Sequence, residues 1–205
     1  MSKRNSVMLI ERDGMRMILK EIKEEEAFTC EKTQLELLHK GGVRVPTIQY
    51  CEGLSLGLSY LEGETLLDHY LQLETEGASE EVVDVIDSLL DWFEGFYRIN
   101  KALDGSQMIK SDMNFRNFLL VHGEVYGIDF EQVKIGEIEE DIGRMAAFAL
   151  MYDPIETEFK KMFVHKFIVS SIERLSLSED KVRQYYEDEL SAMKIRRAKK
   201  LGREV

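Results

Sequence analysis

The sequence predicts an α+β protein with two lobes, a small β-rich one followed by a mainly helical one. Three observations carry that expectation. Short apolar runs separated by glycine-containing turns, with one helical pattern among them, fill the first 62 residues. Behind Glu62-Gly63 the apolar residues recur mostly at three- and four-residue steps. Only 2 prolines occur in 205 residues, which leaves room for long uninterrupted helices. Residues 1–62 are therefore expected as the amino-terminal lobe and residues 63–205 as the carboxy-terminal one.

Taken in order, residues 7–11 and 15–20 flank Arg12-Asp13-Gly14, and Asp-Gly between two apolar runs signals a hairpin. The acidic run 21–26 leads into a helical pattern in which Phe28, Leu35 and Leu38 share a face, ended by Gly41-Gly42. After Val43-Arg44-Val45-Pro46, residues 48–51 and 54–60 flank Glu52-Gly53 as a second strand pair. Val82, Ile86, Leu89, Leu90, Phe93, Phe96 and Tyr97 then read as helix, with about seven turns expected in this region. Residues 118–121 and 125–128 around His122-Gly123-Glu124 predict a short hairpin. From about Asp141 the chain is helical again, with one apolar stripe at Phe159, Met162, Phe163 and Phe167 and another at Val182, Tyr185, Tyr186, Leu190 and Met193.

Charge and composition exclude several classes. Lys plus Arg number 27 against 39 Asp plus Glu, a net charge of -12 whose field repels polyanions, so nucleic acids and anionic membranes are not expected partners. The exception is the basic segment from Lys194 to Arg203, either an arm for RNA, phosphate or an acidic partner or a solvated last helix whose cations complement its own dipole; the overall charge favours the second. Cys30 and Cys51 are too few for a disulfide framework or a four-cysteine zinc site, and the four histidines lack metal-ligand spacing. No apolar run approaches the roughly 20 residues of a membrane span, and the first residues carry no apolar signal core. A soluble, acidic, cytoplasmic protein is the expectation.

The chemistry is concentrated in Lys110-Ser111-Asp112-Met113-Asn114-Phe115-Arg116-Asn117 and in Tyr126-Gly127-Ile128-Asp129-Phe130-Glu131. A hairpin returns the chain to its start, so the one between these motifs brings Asn117 and Asp129 together, with Asp112 close by. Two hard oxygen donors suit magnesium, which takes a few protein oxygens beside phosphate and water, and the free carboxylate of Asp112 can accept a hydroxyl proton.

The joint pattern Asp112, Asn117, Ile128-Asp129-Phe130-Glu131 and Asp141-Ile142-Gly143-Arg144 resembles the protein-kinase-like fold. It is most similar to the small-molecule and atypical branch: aminoglycoside and choline phosphotransferases, RIO-type kinases and lipopolysaccharide kinases. Upstream, residues 30–46 look like that family's third helix and the strand after it, and residues 60–66 like its interlobe hinge; the resemblance covers about residues 6–152. It implies an ATP- and magnesium-dependent phosphotransferase acting on an acceptor hydroxyl. Lys20 stands where the ATP-binding lysine belongs and Glu31 where its partner does, with Glu24, Glu25 and Glu26 as rival partners. Asp112 is implied as the catalytic carboxylate, Asn117 and Asp129 as metal ligands, Asp141 as a structural acceptor for the catalytic loop, and the backbone of Ser59, Tyr60, Leu61 and Glu62 as the adenine contact.

The departures from the family also carry expectations. Lys110-Ser111 replaces His-Gly, and Lys110 is a candidate for contact with the γ-phosphate. The short span between Asp129 and Asp141 leaves no room for a long activation loop, which favours a small molecule or sugar over a peptide as acceptor. Only Met1 to Asn5 precede the first strand and no Gly-x-Gly-x-x-Gly occurs, so the phosphate-covering loop is expected to be missing or reduced. That last feature keeps a second function open, a pseudokinase serving as a nucleotide-binding or scaffold module.

Overall fold

The computed structural model describes residues 5–12 and 14–200; Asp13 of the first predicted turn and Arg203 of the basic segment lie outside the described residues. Strands β1 (Ser6–Arg12) and β2 (Met15–Glu21) pair antiparallel over their whole length, as the Asp-Gly signal predicts. Helix α1 (Glu25–Lys40) follows, then the hairpin of β3 (Ile48–Glu52) and β4 (Ser55–Ser59). β4 docks on β2, giving one antiparallel sheet in the order β1-β2-β4-β3. The buried positions of α1 are Glu31, Gln34, Leu35 and Leu38, a single stripe at helical spacing. Glu31 thus rides inward on the apolar face of its helix. α1 closes on Gly41, and Gly42 takes the positive φ of 76° that a side chain would resist.

Beyond the sheet, β5 (Glu64–Thr65) leads into α2 (Leu66–Glu76), whose first turn is capped by the Thr65 hydroxyl accepting the Asp68 N–H at 3.1 Å. Gly77, at φ 70°, ends α2, and α3 (Val82–Ile99) starts separately. The about seven turns expected from Val82 to Tyr97 are too many: α3 has 18 residues, about five turns. The signal for the break is Gly77, a left-handed cap just behind an apolar stripe. α3 is the central helix, burying nine residues from Val82 to Tyr97. Next come β6 (Met108–Ile109), a single 3-10 turn at Phe115–Asn117, and the hairpin of β7 (Phe118–Val121) and β8 (Glu124–Gly127). β5 pairs with β7, and β6 with β9 (Lys134–Ile135). Gly127 lies flat on α3: a Cβ there would sit 2.2 Å from the Trp92 ring.

Three helices complete the chain, α4 (Ile138–Met151), α5 (Glu158–Leu175) and α6 (Glu179–Lys200). α6 reaches α4 backbone to backbone at Gly143, where a Cβ would meet the Tyr186 nitrogen at 2.7 Å. The architecture is α+β, a small antiparallel sheet region followed by a mainly helical remainder. One buried apolar cluster runs through both parts, from Ile22 and Leu35 to Phe163 and Val182. Among the described residues no helix is long and apolar enough to cross a membrane.

Candidate functional site

Lys20 is the last inward-facing residue of β2, opposite Leu56 of β4, and its side chain runs under the sheet toward α1. There its ammonium meets Glu31 at 3.3 Å; among the rival carboxylates of the acidic run, Glu25 and Glu26 are exposed on the first turn of the helix. Two further carboxylates arrive from the segment behind the β7–β8 hairpin, Asp129 at 3.0 Å and Glu131 at 2.8 Å. Three acidic groups thus surround one cation, and Glu31, Asp129 and Glu131 each offer an oxygen within 4.8 Å of the others. Burial alone would lower the Lys20 ammonium, but the carboxylates of Glu31, Asp129 and Glu131 outweigh it and hold the group charged well above its ordinary range. Burial likewise pushes Glu31 up, against the pull of Lys20 and of the Phe130 N–H that Glu31 accepts.

The cluster opens into a cleft of about 360 Å³ between sheet and hairpin. Val7, Ile18 and Leu58 form its sheet wall and Leu119 and Ile128 the opposite one. Lys20, Glu31, Asn117 and Asp129 line the polar end, and Ser59, Tyr60 and Leu61 the edge where the chain crosses from sheet to helices. Glu62, expected beside them, belongs to the outer side of that crossing: it pairs with Arg16 at 3.2 Å, and the Arg16 guanidinium stacks 4.3 Å over the Tyr60 ring. The cleft is thus apolar on two faces, with its charged groups gathered at one end.

The hairpin does what its length predicts. Ile128 N–H donates to the Asn117 carbonyl at 2.9 Å, so the two strand ends lie side by side. The Asn117 amide donates to the Asp112 carbonyl at 3.4 Å, leaving its Oδ1 as the oxygen it can offer. The Asp112 carboxylate is half-buried beside the cleft and accepts the Asn114 N–H at 3.3 Å. Asp141, fully buried on the first turn of α4, accepts the N–H groups of Lys110 at 2.8 Å and Ser111 at 2.9 Å, and the Tyr97 hydroxyl at 3.1 Å. Burial pushes its carboxyl up to about 6 in spite of those bonds.

Lys110 departs from expectation. Its side chain is buried and its ammonium turns away from the cleft, donating to the carbonyls of Ile128, at 2.8 Å, and Asp129. Two of its three donors go to those carbonyls, and Lys110 is not among the residues lining the cleft, where contact with a phosphate was expected. Sequence reasoning also missed Glu131 as a contact of Lys20, and it gave no sign that Ser111 and Asp129 adopt positive φ, 69° and 61°. Ser111 sits at the centre of a γ-turn closed by the Asp112 N–H on the Lys110 carbonyl at 2.9 Å. Left-handed backbone at a non-glycine residue costs on the order of 1–3 kcal/mol, and the chain adopts it also at His122, Glu156 and Ser176, outside the cleft.

Within the basic segment three cations pair with the protein itself: Lys194 with Glu156, Arg196 with Glu189 and Arg197 with Asp153. No protein-family model matches the chain, and no curated protein matches it in sequence.

Proposed function

We propose that the chain is a phosphotransferase of protein-kinase-like fold, moving the γ-phosphoryl group of ATP to an acceptor hydroxyl of a small molecule or sugar. The observation that carries this reading is the convergence on Lys20 of Glu31 from α1 and Asp129 from the hairpin exit, at 3.3 and 3.0 Å, at the charged end of an apolar cleft. In this reading the adenine lies between the apolar walls with its edge toward the backbone of residues 59–61. Lys20, steadied by Glu31, neutralises the nucleotide phosphates as a point charge. Asp129 and Asn117 present hard oxygens to magnesium, and the excess of carboxylates over cations at Lys20 is the donor chemistry that fits such an ion. The ion supplies charge neutralisation on the transferred group. Asp112 lies on the far side of Asn117, where it orients the acceptor hydroxyl and takes its proton, and Asp141 fixes the loop that carries it.

A second reading, a nucleotide-binding or scaffold module without turnover, is favoured by one contact. Glu131 holds Lys20 at 2.8 Å and is itself held by the Asn5 amide at 2.6 Å, so the third donor of the ammonium is occupied by the protein.

The test is thermal unfolding with ATP and ADP, with and without magnesium, for the wild type and Asp129→Asn. A magnesium-dependent shift in the wild type that Asp129→Asn lacks is expected. A full magnesium-dependent shift in the variant contradicts the assignment of Asp129, and no nucleotide shift in either protein up to millimolar ATP contradicts the proposal.

A further inference from the structure

The backbone of the segment carrying Asp129 is gripped at five points. Ile128 N–H goes to the Asn117 carbonyl and Phe130 N–H to the Glu31 carboxylate, while the Phe130 carbonyl accepts the Cys30 thiol at 3.1 Å. The carbonyls of Ile128 and Asp129 remain, and both are taken by one group, the Lys110 ammonium. Lys110 is 1% exposed, with the Phe130 ring 4.8 Å and the Phe118 ring 5.6 Å from its nitrogen. A buried ammonium is costly unless its donors are met and opposite charge is near. Here two of its three donors go to carbonyls, and Asp129, Glu31 of α1, Asp112 of the loop and Asp141 of α4 supply opposite charge around it. The same residue is tied at its own N–H to Asp141 and by its carbonyl to Asp112. Lys110 is thus the one residue, among those described, that bonds at once to the Asp129 turn, to the Asp112 backbone and to the Asp141 anchor.

We propose that Lys110 is a positioning residue of this site: its side chain holds the backbone of Asp129 in the left-handed turn that aims the Asp129 carboxylate into the cleft, and keeps that turn in register with Asp112. Methionine fills nearly the same volume without a donor. In its place the carbonyls of Ile128 and Asp129 are buried and unmet, and a non-glycine residue at φ 61° has lost what stabilises it. Lys110 donates no hydrogen bond to Lys20 or Glu31, so the direct contact of that pair at 3.3 Å is not itself removed. The loss therefore falls on what Asp129 does rather than on the cleft as a whole. This inference rests on the phosphotransferase reading for its ligand readout, and on the geometry alone for its backbone readout.

The experiment compares wild type, Lys110→Met and Lys110→His, the last retaining a ring N–H for one carbonyl, in two measurements. The first is ATP affinity with and without magnesium. Lys110→Met is expected to lose the magnesium-dependent gain by about tenfold or more while magnesium-free ATP affinity stays within about twofold, and Lys110→His to recover only part of the gain. The second is amide hydrogen exchange over residues 126–131, expected to quicken at least about tenfold in Lys110→Met and to return toward wild type in Lys110→His. A Lys110→Met protein with the wild-type magnesium gain, or with unchanged exchange over that segment, overturns the proposal. If the wild type shows no magnesium-dependent ATP binding, the phosphotransferase reading fails and the exchange measurement alone decides for or against Lys110. Should Lys110→Met not fold, the same two criteria apply to Lys110→His, for which an intermediate loss in both is expected and wild-type behaviour in both overturns the inference.

Discussion

Lys20 and Lys160 are both buried lysines bonded to carboxylates, and they do opposite things. Lys160, on α5, is fully buried against a single acid, Glu74 of α2, and the Thr157 hydroxyl donates to that same carboxylate. One cation meets one anion and the account is closed. Lys20 meets three carboxylates and faces a cleft, so at that ammonium the acids outnumber the base. A balanced pair joins two helices; an unbalanced one invites a further cation. Burial of a lysine is therefore no sign of a site by itself. The sign is the mismatch between the number of acids and the number of bases, together with room for a ligand.

Three changes bear on that contrast. Lys160→Met leaves Glu74 without its partner and should cost about 3 kcal/mol or more of stability, read by urea unfolding, with no effect on nucleotide binding. A cost under about 1 kcal/mol would mean that the balanced pair contributes little. A somewhat smaller effect concerns Asp141, a buried carboxylate met by hydrogen bonds and no direct salt bridge. Its folded pKa of about 6 lies above the unfolded value near 4, so between those pH values the folded protein carries a proton that the unfolded chain lacks. Its contribution to stability is thus greatest below pH 4, falls as pH rises to 6 and is level above, a change of about 2–3 kcal/mol. The difference in unfolding free energy between wild type and Asp141→Asn should trace that fall; a difference flat from pH 4 to 7 contradicts it. The smallest effect is expected for Glu131→Gln. Removing one of three acids from an oversupplied cluster should leave stability unchanged or raise it by up to about 1 kcal/mol, where the same kind of loss at Glu74 is costly. A drop of 2 kcal/mol or more, on the order of a broken buried pair, would show that all three carboxylates are needed.

Much of the site is legible in the residues. Glu31 lies four residues before Leu35 and seven before Leu38, so any helix that buries those leucines carries Glu31 inward, and the Asp13-Gly14 turn sets Lys20 on the facing strand. The hairpin at His122-Gly123 returns Asp129 to Asn117 by length alone. What was hidden follows from backbone conformation. Ser111 and Asp129 take positive φ without being glycine, so no composition signal marks the two bends. Those bends turn Lys110 under the hairpin instead of toward the cleft, and they swing Glu131 onto Lys20. The break between α2 and α3 was readable at Gly77, a glycine suited to a left-handed cap.

The central claim is that Asp112 serves the acceptor and Lys20 with Asp129 the nucleotide. The direct measurement is ATP turnover at saturating ATP and magnesium, with hydrolysis to water as the reaction, for wild type and Asp112→Ala side by side with their ATP–magnesium thermal shifts. The prediction is a wild-type thermal shift in both proteins and a rate at least about a hundredfold lower in Asp112→Ala, the contribution of a general base. Equal, magnesium-dependent hydrolysis by the two proteins would contradict it.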